Sequence, residues 1–235
     1  MSIGPTMMPG KRPHVIVNVA ASADGKIDTV ARRGAPISSP EDWERADALR
    51  AASDAVMVGG KTLLQEDPRL TVKSARLRAE RARQGKPENP MKVGVVTSAD
   101  LRENSRFLHE GRAEVILFTT RRTQLAEIAR LEAEGAQVLV LGETRVDLGA
   151  ALTALHERGV GRLMVEGGGT LLGELFRLGL VDEFYLYIAP LIVGGSSAPT
   201  IADGPGLERE AAVELTLDNL SAQPDGSIIA HYFTR

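Results

Sequence analysis

The chain has 235 residues, 43% of them hydrophobic and 25% charged, which suits one large domain or two small ones with an ample core. A formal net charge of −3 argues against general nucleic-acid binding, and no apolar run reaches the ~20 residues of a membrane span. Cysteine is absent, which excludes disulfides and thiolate metal sites and fits a reducing cytoplasm.

Met1 to Arg12 lacks the apolar core of a signal peptide and reads as a flexible tail before a single domain spanning 13–235. His14 to Ala20 is a nearly continuous apolar run, as expected of a strand covered on both faces. Asp24-Gly25 marks a turn, and a loop runs on to Pro36. Ser39-Pro40-Glu41-Asp42 opens a helix, with Trp43, Ala46 and Leu49 expected on its buried side. Asp54 to Val58 is a second buried strand, followed by Gly59-Gly60-Lys61-Thr62.

Ser74 to Lys86 is arginine-rich and reads as a solvated helix or an insertion, with the charge run from Arg76 to Arg83 as a solvated face. Strands are expected at 92–97, 114–119 and 137–141, with a helix carrying Leu125, Ile128 and Leu131 between the last two. A further helix from Asp147 presents Leu148, Ala151, Leu152 and Leu155 at helical spacing. Arg162 to Val165 is a short strand, and Leu171, Leu172, Leu175 and Leu178 then mark a helix stopped by Gly179. A strand at 181–189, an irregular loop at 194–206 and two closing strands near 212–217 and 227–233 complete the chain. The alternation predicts an α/β fold, mostly parallel, with antiparallel C-terminal strands.

Three glycines therefore sit where a strand turns into a helix: Val165-Glu166-Gly167-Gly168-Gly169-Thr170. Such a turn lets backbone approach a ligand, and the helix N-terminus favours an anion such as phosphate. Read alone, it is also compatible with an unliganded turn. Glu166 falls at the strand's C-terminal end, where open α/β sheets place ligands. Ala55 to Thr62 superficially resembles a P-loop, but its first glycine position is Ala55 and the residues between read as strand. Two glycine turns on one sheet suggest a ligand with several phosphates, such as a dinucleotide, although the G-x-G-x-x-G spacing is absent. The four histidines are scattered and read as structural.

Asn18 to Ile27, Ser53 to Thr62 with Glu66 to Thr71, and Glu166 to Leu171 with Leu180 to Glu183 and Ile188 to Pro190 together resemble three ordered signatures of the pyrimidine reductases of riboflavin biosynthesis. These occur alone in archaea and fungi, and as one half of a bifunctional bacterial deaminase-reductase. The resemblance spans nearly the whole chain after the tail. It implies a dihydrofolate reductase-like fold, with Val58 to Thr62 (including Gly59 and Lys61) and Gly167-Gly168 similar to that enzyme's two NADPH-binding segments. It also implies reduction, by NADPH, of a ribosylamino-pyrimidine 5′-phosphate at ribose C1′, in a cytoplasmic homodimer. The chain has none of the zinc-site residues of the deaminase half, so it is similar to the standalone reductase, whose substrate carries two amino groups on its pyrimidine.

The resemblance carries cofactor contacts to Ala20, Pro36, Thr62, Glu66, Thr97, Ser98, Gly167, Gly168, Gly169, Thr170 and Leu171. It carries substrate contacts to Gly34, Arg50, Leu70, Lys73 and Glu166, with Asp24 on the same ligand-bearing edge. Arg50 and Lys73 are cations suited to a ribose phosphate. Lys26 and Glu166 are the ionisable groups nearest the reacting centre and are taken as catalytic. Three departures stand out: Glu66 where aspartate is usual, Lys73 where arginine can stand, and Ala23 for leucine. Two other classes remain open on the residues alone, a pteridine or small-carbonyl reductase on the same fold and a non-catalytic nucleotide-binding protein.

Overall fold

The computed structural model describes residues 12–235. The expected tail over 1–12 lies outside them except for Arg12, whose guanidinium pairs with Asp182 at 2.6 and 2.7 Å. Seven strands run parallel: β1 His14–Ser22, β2 Ala55–Gly59, β3 Met91–Val95, β4 Val115–Thr119, β5 Gln137–Val140, β6 Arg162–Val165 and β7 Glu183–Ala189. β8 Leu215–Ala222 and β9 Ile228–Thr234 close the chain as an antiparallel pair, β9 lying against β7. The sheet order is β5-β4-β3-β2-β6-β1-β7-β9-β8. The helices are α1 Pro40–Ala52, α2 Ala75–Arg83, α3 Arg106–His109, α4 Leu125–Ala133, α5 Leu148–Glu157 and α6 Gly169–Arg177. The predicted α/β architecture with its antiparallel C-terminal end is thus the observed one.

Both faces of the sheet carry a core, which is why the parallel strands read as unbroken apolar runs. On one face Val15, Val17, Met57, Val93 and Val165 pack beneath Leu152 and Leu155 of α5 and Leu172 and Leu175 of α6. Each such leucine, fully buried, stabilises the fold by about 1.5–3 kcal/mol. On the other face Val56, Val58 and Met164 pack with Leu63, Phe107 and Leu131.

Four expectations need correction. Trp43 is 50% exposed, because α1 turns Asp42 and Asp47 inward instead. Leu125 is 83% exposed at the start of α4, and Leu131 holds that helix to the core. The arginine run does form a helix, but Arg81 is buried, since the carbonyls of Ala51, Ser53 and Pro87 satisfy its guanidinium. The apolar strand 184–188, expected near an antiparallel edge that a partner could cover, is interior: β7 is paired to β1 and to β9, and β8 lies at that edge. The pattern also missed α3, too short for periodicity to register, while the short helix expected after Gly59-Gly60 is a π-helical turn at Thr62–Glu66.

Lys92 is wholly buried within β3, and its ammonium donates to the carbonyls of Phe107 (2.7 Å) and Glu110 (2.6 Å) at the end of α3. Burial pushes its pKa down from 10.5 to about 8, against the opposing charges of Glu110 and Asp67. The pH-dependent part of its contribution to stability is therefore full above pH 10.5 and is lost as pH falls through about 8. Lys92→Met leaves both carbonyls without donors and should cost ~1–3 kcal/mol in chemical denaturation near neutral pH. It should also remove a rise in wild-type stability between pH 8 and 10.5. Equal stability of the two proteins at every pH would contradict both statements.

Candidate active site

The parallel strands all deliver their C-terminal ends to one edge of the sheet. There β2 and β6, paired as far as Met57 and Val165, continue into the two glycine turns. The Glu166 N–H donates to the Met57 carbonyl and the Gly59 N–H to the Gly167 carbonyl, each at 3.0 Å. The turns touch backbone to backbone. A Cβ added at Gly168 would lie 3.2 Å from Gly59 Cα, and one at Gly59 would lie 3.1 Å from Leu171 Cβ. Gly167 and Gly168 also hold positive φ, 144° and 91°, which favours glycine. α6 begins at Gly169 with no side chain capping its first amides.

These turns line a cleft of about 740 Å³. Of the residues expected at a cofactor, Gly59, Lys61, Thr62, Glu66, Thr97, Gly168, Gly169, Thr170 and Leu171 line it. Gly167 is buried behind its wall, and Ala20, Pro36 and Ser98 lie outside the lining. Asp28, Arg32 and Arg145 line it without having been singled out from the sequence. Asp28 is the informative omission. Its carboxylate, 7% exposed, accepts from the backbone N–H groups of Thr29 (2.7 Å), Gly34 (2.9 Å) and Ala35 (3.0 Å), folding the loop after β1. A Cβ on Gly34 would lie 3.2 Å from Glu66 Oε2, so this loop rests against Glu66. The cleft walls push the Glu66 carboxyl upward, the charge of Asp28 pushes the same way, and the Thr62 hydroxyl opposes them.

The substrate-side candidates gather elsewhere along the same edge. Glu166 follows β6 and Arg50 lies in the last turn of α1. The Arg50 fork clasps the Glu166 carboxylate through Nε to Oε1 and through Nη2 to Oε2 at 2.8 Å. Both side chains are largely enclosed, 19% and 10% exposed. Burial alone would lower the Arg50 pKa; the Glu166 charge and hydrogen bonds, aided by Asp47, outweigh it and raise the value. Asp47 accepts from the Lys73 and Ser74 N–H groups at 2.7 and 2.8 Å, fixing the start of α2. Lys73 itself is exposed, with its ammonium 5.9 Å from the centre of the Trp43 ring. That cation–π contact gives the exposed tryptophan a partner. Leu70 has φ of 50° and a side chain within the core, so only its backbone is available to a ligand.

The first motif folds as a tight turn. Gly25 has φ of 79°, and Ser22 Oγ donates to Asp24 Oδ1 (2.6 Å) while accepting from the Lys26 N–H (2.9 Å). Asp24 also accepts from the Val193 and Gly194 N–H groups at 3.0 and 2.8 Å. The Ser22 hydroxyl first, then these amides, hold its carboxyl down at about 2. The Lys26 ammonium lies 3.5 Å from the Ala198 carbonyl. Neither Lys26 nor Asp24, Arg50, Lys73 or Glu166 lines the glycine-walled cleft.

The arrangement offers a helix N-terminus suited to an anion, a glycine-walled cleft of about 740 Å³, and a separate charged group of residues. Comparison with known proteins identifies the family. The profile of the RibD C-terminal domain family matches residues 13–229. The chain is 45% identical over 203 residues to a 2,5-diamino-6-ribosylamino-4(3H)-pyrimidinone 5′-phosphate reductase of Archaeoglobus fulgidus, covering 86% of this chain and 92% of that protein. It is 41% identical over 207 residues to the protein of the same name in Methanothermobacter thermautotrophicus, covering 88% and 91%. Among solved structures, a pyrimidine reductase-like protein from Corynebacterium diphtheriae superimposes with a TM-score of 0.82 at 23% identity, over 95% of this chain and 92% of that one. Its likeness concerns the fold. On the family match and the archaeal identities, the chain belongs to the RibD C-terminal domain family, the reductases of riboflavin biosynthesis.

Proposed function

We propose that this enzyme reduces the ribosylamino side chain of 2,5-diamino-6-ribosylamino-4(3H)-pyrimidinone 5′-phosphate to the ribitylamino form, using NADPH. The observation that carries the reading is the adjacency of two touching glycine turns, which wall a cleft, to the clasped Glu166–Arg50 pair. The cradle fits the cofactor: Gly168 to Leu171 present the α6 N-terminus to a pyrophosphate, and Thr62 and Glu66 suit ribose hydroxyls. Lys61 supplies a cation on the lining for a 2′-phosphate. Bound there, the nicotinamide supplies a hydride.

The chain's own residues have three tasks. They must hold the ring-opened sugar with C1′ against the hydride donor, exclude water, and manage the proton that accompanies the hydride. In the ring-opened imine, hydride adds to C1′ and a proton to the nitrogen. Lys26 and Glu166 are the ionisable side chains assigned to this end, with Arg50 orienting the Glu166 carboxylate through both oxygens. Lys73 is exposed at the start of α2 and is the cation available to a phosphate without first breaking an ion pair.

The two archaeal relatives are named for the diamino pyrimidine, which favours that substrate over the deaminated uracil form. The pyrimidines differ at C2 in a hydrogen-bond donor against an acceptor, and an unpaired buried group costs ~1–3 kcal/mol. Turnover with both pyrimidines and both nicotinamide cofactors tests the whole reading. We expect the highest kcat/KM with the diamino compound and NADPH. Absence of turnover with every pair would refute the activity. A tenfold preference for the uracil form or for NADH would reverse only that choice.

Arg50→Ala unclasps Glu166, and Glu166→Gln removes the pair's negative charge. Both should lower kcat with little change in the KM for NADPH, and Arg50→Ala should in addition raise the KM for substrate if phosphate exchanges with Glu166 on the fork. Wild-type kinetics in both variants would remove the pair from the reaction.

We also infer a cytoplasmic homodimer. The cysteine-free composition fits a reducing compartment, and no helix among the described residues is long and apolar enough to cross a membrane. β8 is an edge strand, paired on one side only, with Leu215, Leu217 and Leu220 exposed, a surface that a second copy can cover. Light scattering at micromolar concentration should give twice the chain mass; a monomeric mass would overturn the dimer.

A further inference from the structure

The segment 191–203 runs along the ligand edge as a strap fixed at both ends. At its far end it is pinned to α6. The Asp203 N–H donates to the Gly169 carbonyl at 2.9 Å, and Thr200 closes onto Asp203 Oδ1 through its N–H (3.0 Å) and its hydroxyl (2.7 Å). The contact needs bare backbone on α6: a Cβ at Gly169 would lie 2.4 Å from the Thr200 carbonyl, and one at Gly173 would lie 2.3 Å from that of Asp203. It is also pinned to the turn after β1, at its start and again at Pro199, next to Thr200. The Ala23 N–H donates to the Leu191 carbonyl at 2.9 Å and the Ile27 N–H to the Pro199 carbonyl at 3.0 Å.

Three charged side chains of the first motif region complete that fastening, and all three spend themselves on strap backbone. Arg32 Nη2 donates to the Ser197 carbonyl at 2.8 Å. The Lys26 ammonium faces the Ala198 carbonyl at 3.5 Å. Asp24 accepts from the Val193 and Gly194 N–H groups, one on each oxygen. Its third donor is Ser22, within its own turn. Asp24 is therefore built to hold the loop. A carboxylate reading substrate hydroxyls would keep an oxygen free of its own chain.

We infer that Asp24 is a positioning residue that acts through the strap: by holding Val193 and Gly194 it fixes the run of backbone whose Ala198 carbonyl receives the Lys26 ammonium. The inference rests on the proposed place of Lys26 at the reacting end. It explains why an exposed aspartate sits two residues before that lysine. Both ends of one turn grip one loop, so the lysine and the wall it leans on move together. Because the strap is also fastened to the α6 glycine turn, Asp24 ties the setting of Lys26 to the cofactor side of the cleft.

Asp24→Asn tests this with little risk to the fold, since the side chain is exposed. An amide can accept through one oxygen only, so one strap N–H loses its acceptor. In the free enzyme, hydrogen exchange at Val193 and Gly194 should quicken about tenfold or more. With substrate and NADPH, kcat should fall roughly tenfold or more while the KM for NADPH stays within about twofold. A Lys26→Ala background gives the decisive comparison: adding Asp24→Asn there should cause no further loss, because the group being positioned is gone. An equal further loss in that background would overturn the inference, as would a raised substrate KM with unchanged exchange at Val193 and Gly194, which marks direct contact. Lys26→Ala with Asp24 intact separates the two levels of the argument. Wild-type turnover in that single variant removes Lys26 from the reaction, and the inference with it.

Discussion

The close approach of Gly59 to Gly168 is the constraint on which the ligand edge depends. β2 and β6 are hydrogen-bonded neighbours, and paired strands normally part where their turns begin. Here two further bonds, Glu166 N–H to Met57 and Gly59 N–H to Gly167, carry the pairing past the strand ends. A Cβ at Gly168 would crowd the Gly59 backbone and one at Gly59 would crowd Leu171, so glycine at both positions suits the approach. The start of α6 is thereby held against the end of β2, on the wall of the cleft. A helix terminus so placed needs no lysine of its own to favour an anion.

A second consequence follows for α1. A helix lying on a sheet usually docks by an apolar stripe, yet the buried positions of α1 are Asp42 and Asp47, and its last turn sends Arg50 to Glu166. Enclosed ion pairs recover little more than their desolvation cost, so hydrophobic residues of like volume would hold the helix as well or better. The charges are intelligible as site architecture. Asp47 sets the start of α2 and with it Lys73, Arg50 sets Glu166, and Arg45 reaches Asn18 on β1 at 2.7 Å. What α1 gives up in apolar contact it returns as orientation at the ends of β1 and β6.

This division explains what could be read from the sequence. The apolar periodicities of α5 and α6 and the unbroken runs of β1 and β2 are core signals, and they gave the architecture nearly residue by residue. The glycine turns were legible too, since three glycines between a strand and a helix have few other uses. Trp43 was misassigned because an inward face made of charges carries no apolar period; Asp42 and Asp47 look solvated in sequence. Asp28 was missed for a related reason. Its work is to accept three backbone N–H groups, and backbone donors leave no trace in residue identity. The clasp of Arg50 on Glu166 joins residues far apart in the chain. Motif resemblance named both without indicating that they meet.

The missed aspartate also charges the cleft wall beside the α6 turn. A Cβ at Gly168 would lie 3.7 Å from the Thr62 hydroxyl, and that hydroxyl bonds to the Glu66 carboxyl, which Asp28 pushes upward. A helix N-terminus that favours negative charge and two carboxylates therefore stand close together, and the carboxylates repel any phosphate that strays from the helix end. Glu66 suits a ribose hydroxyl, which its carboxyl can meet with a hydrogen bond. Its carboxylate also reaches the Gly34 loop, so it is braced by the segment Asp28 folds. Where this wall tolerates a phosphate is thus set by the carboxylates as much as by the helix end.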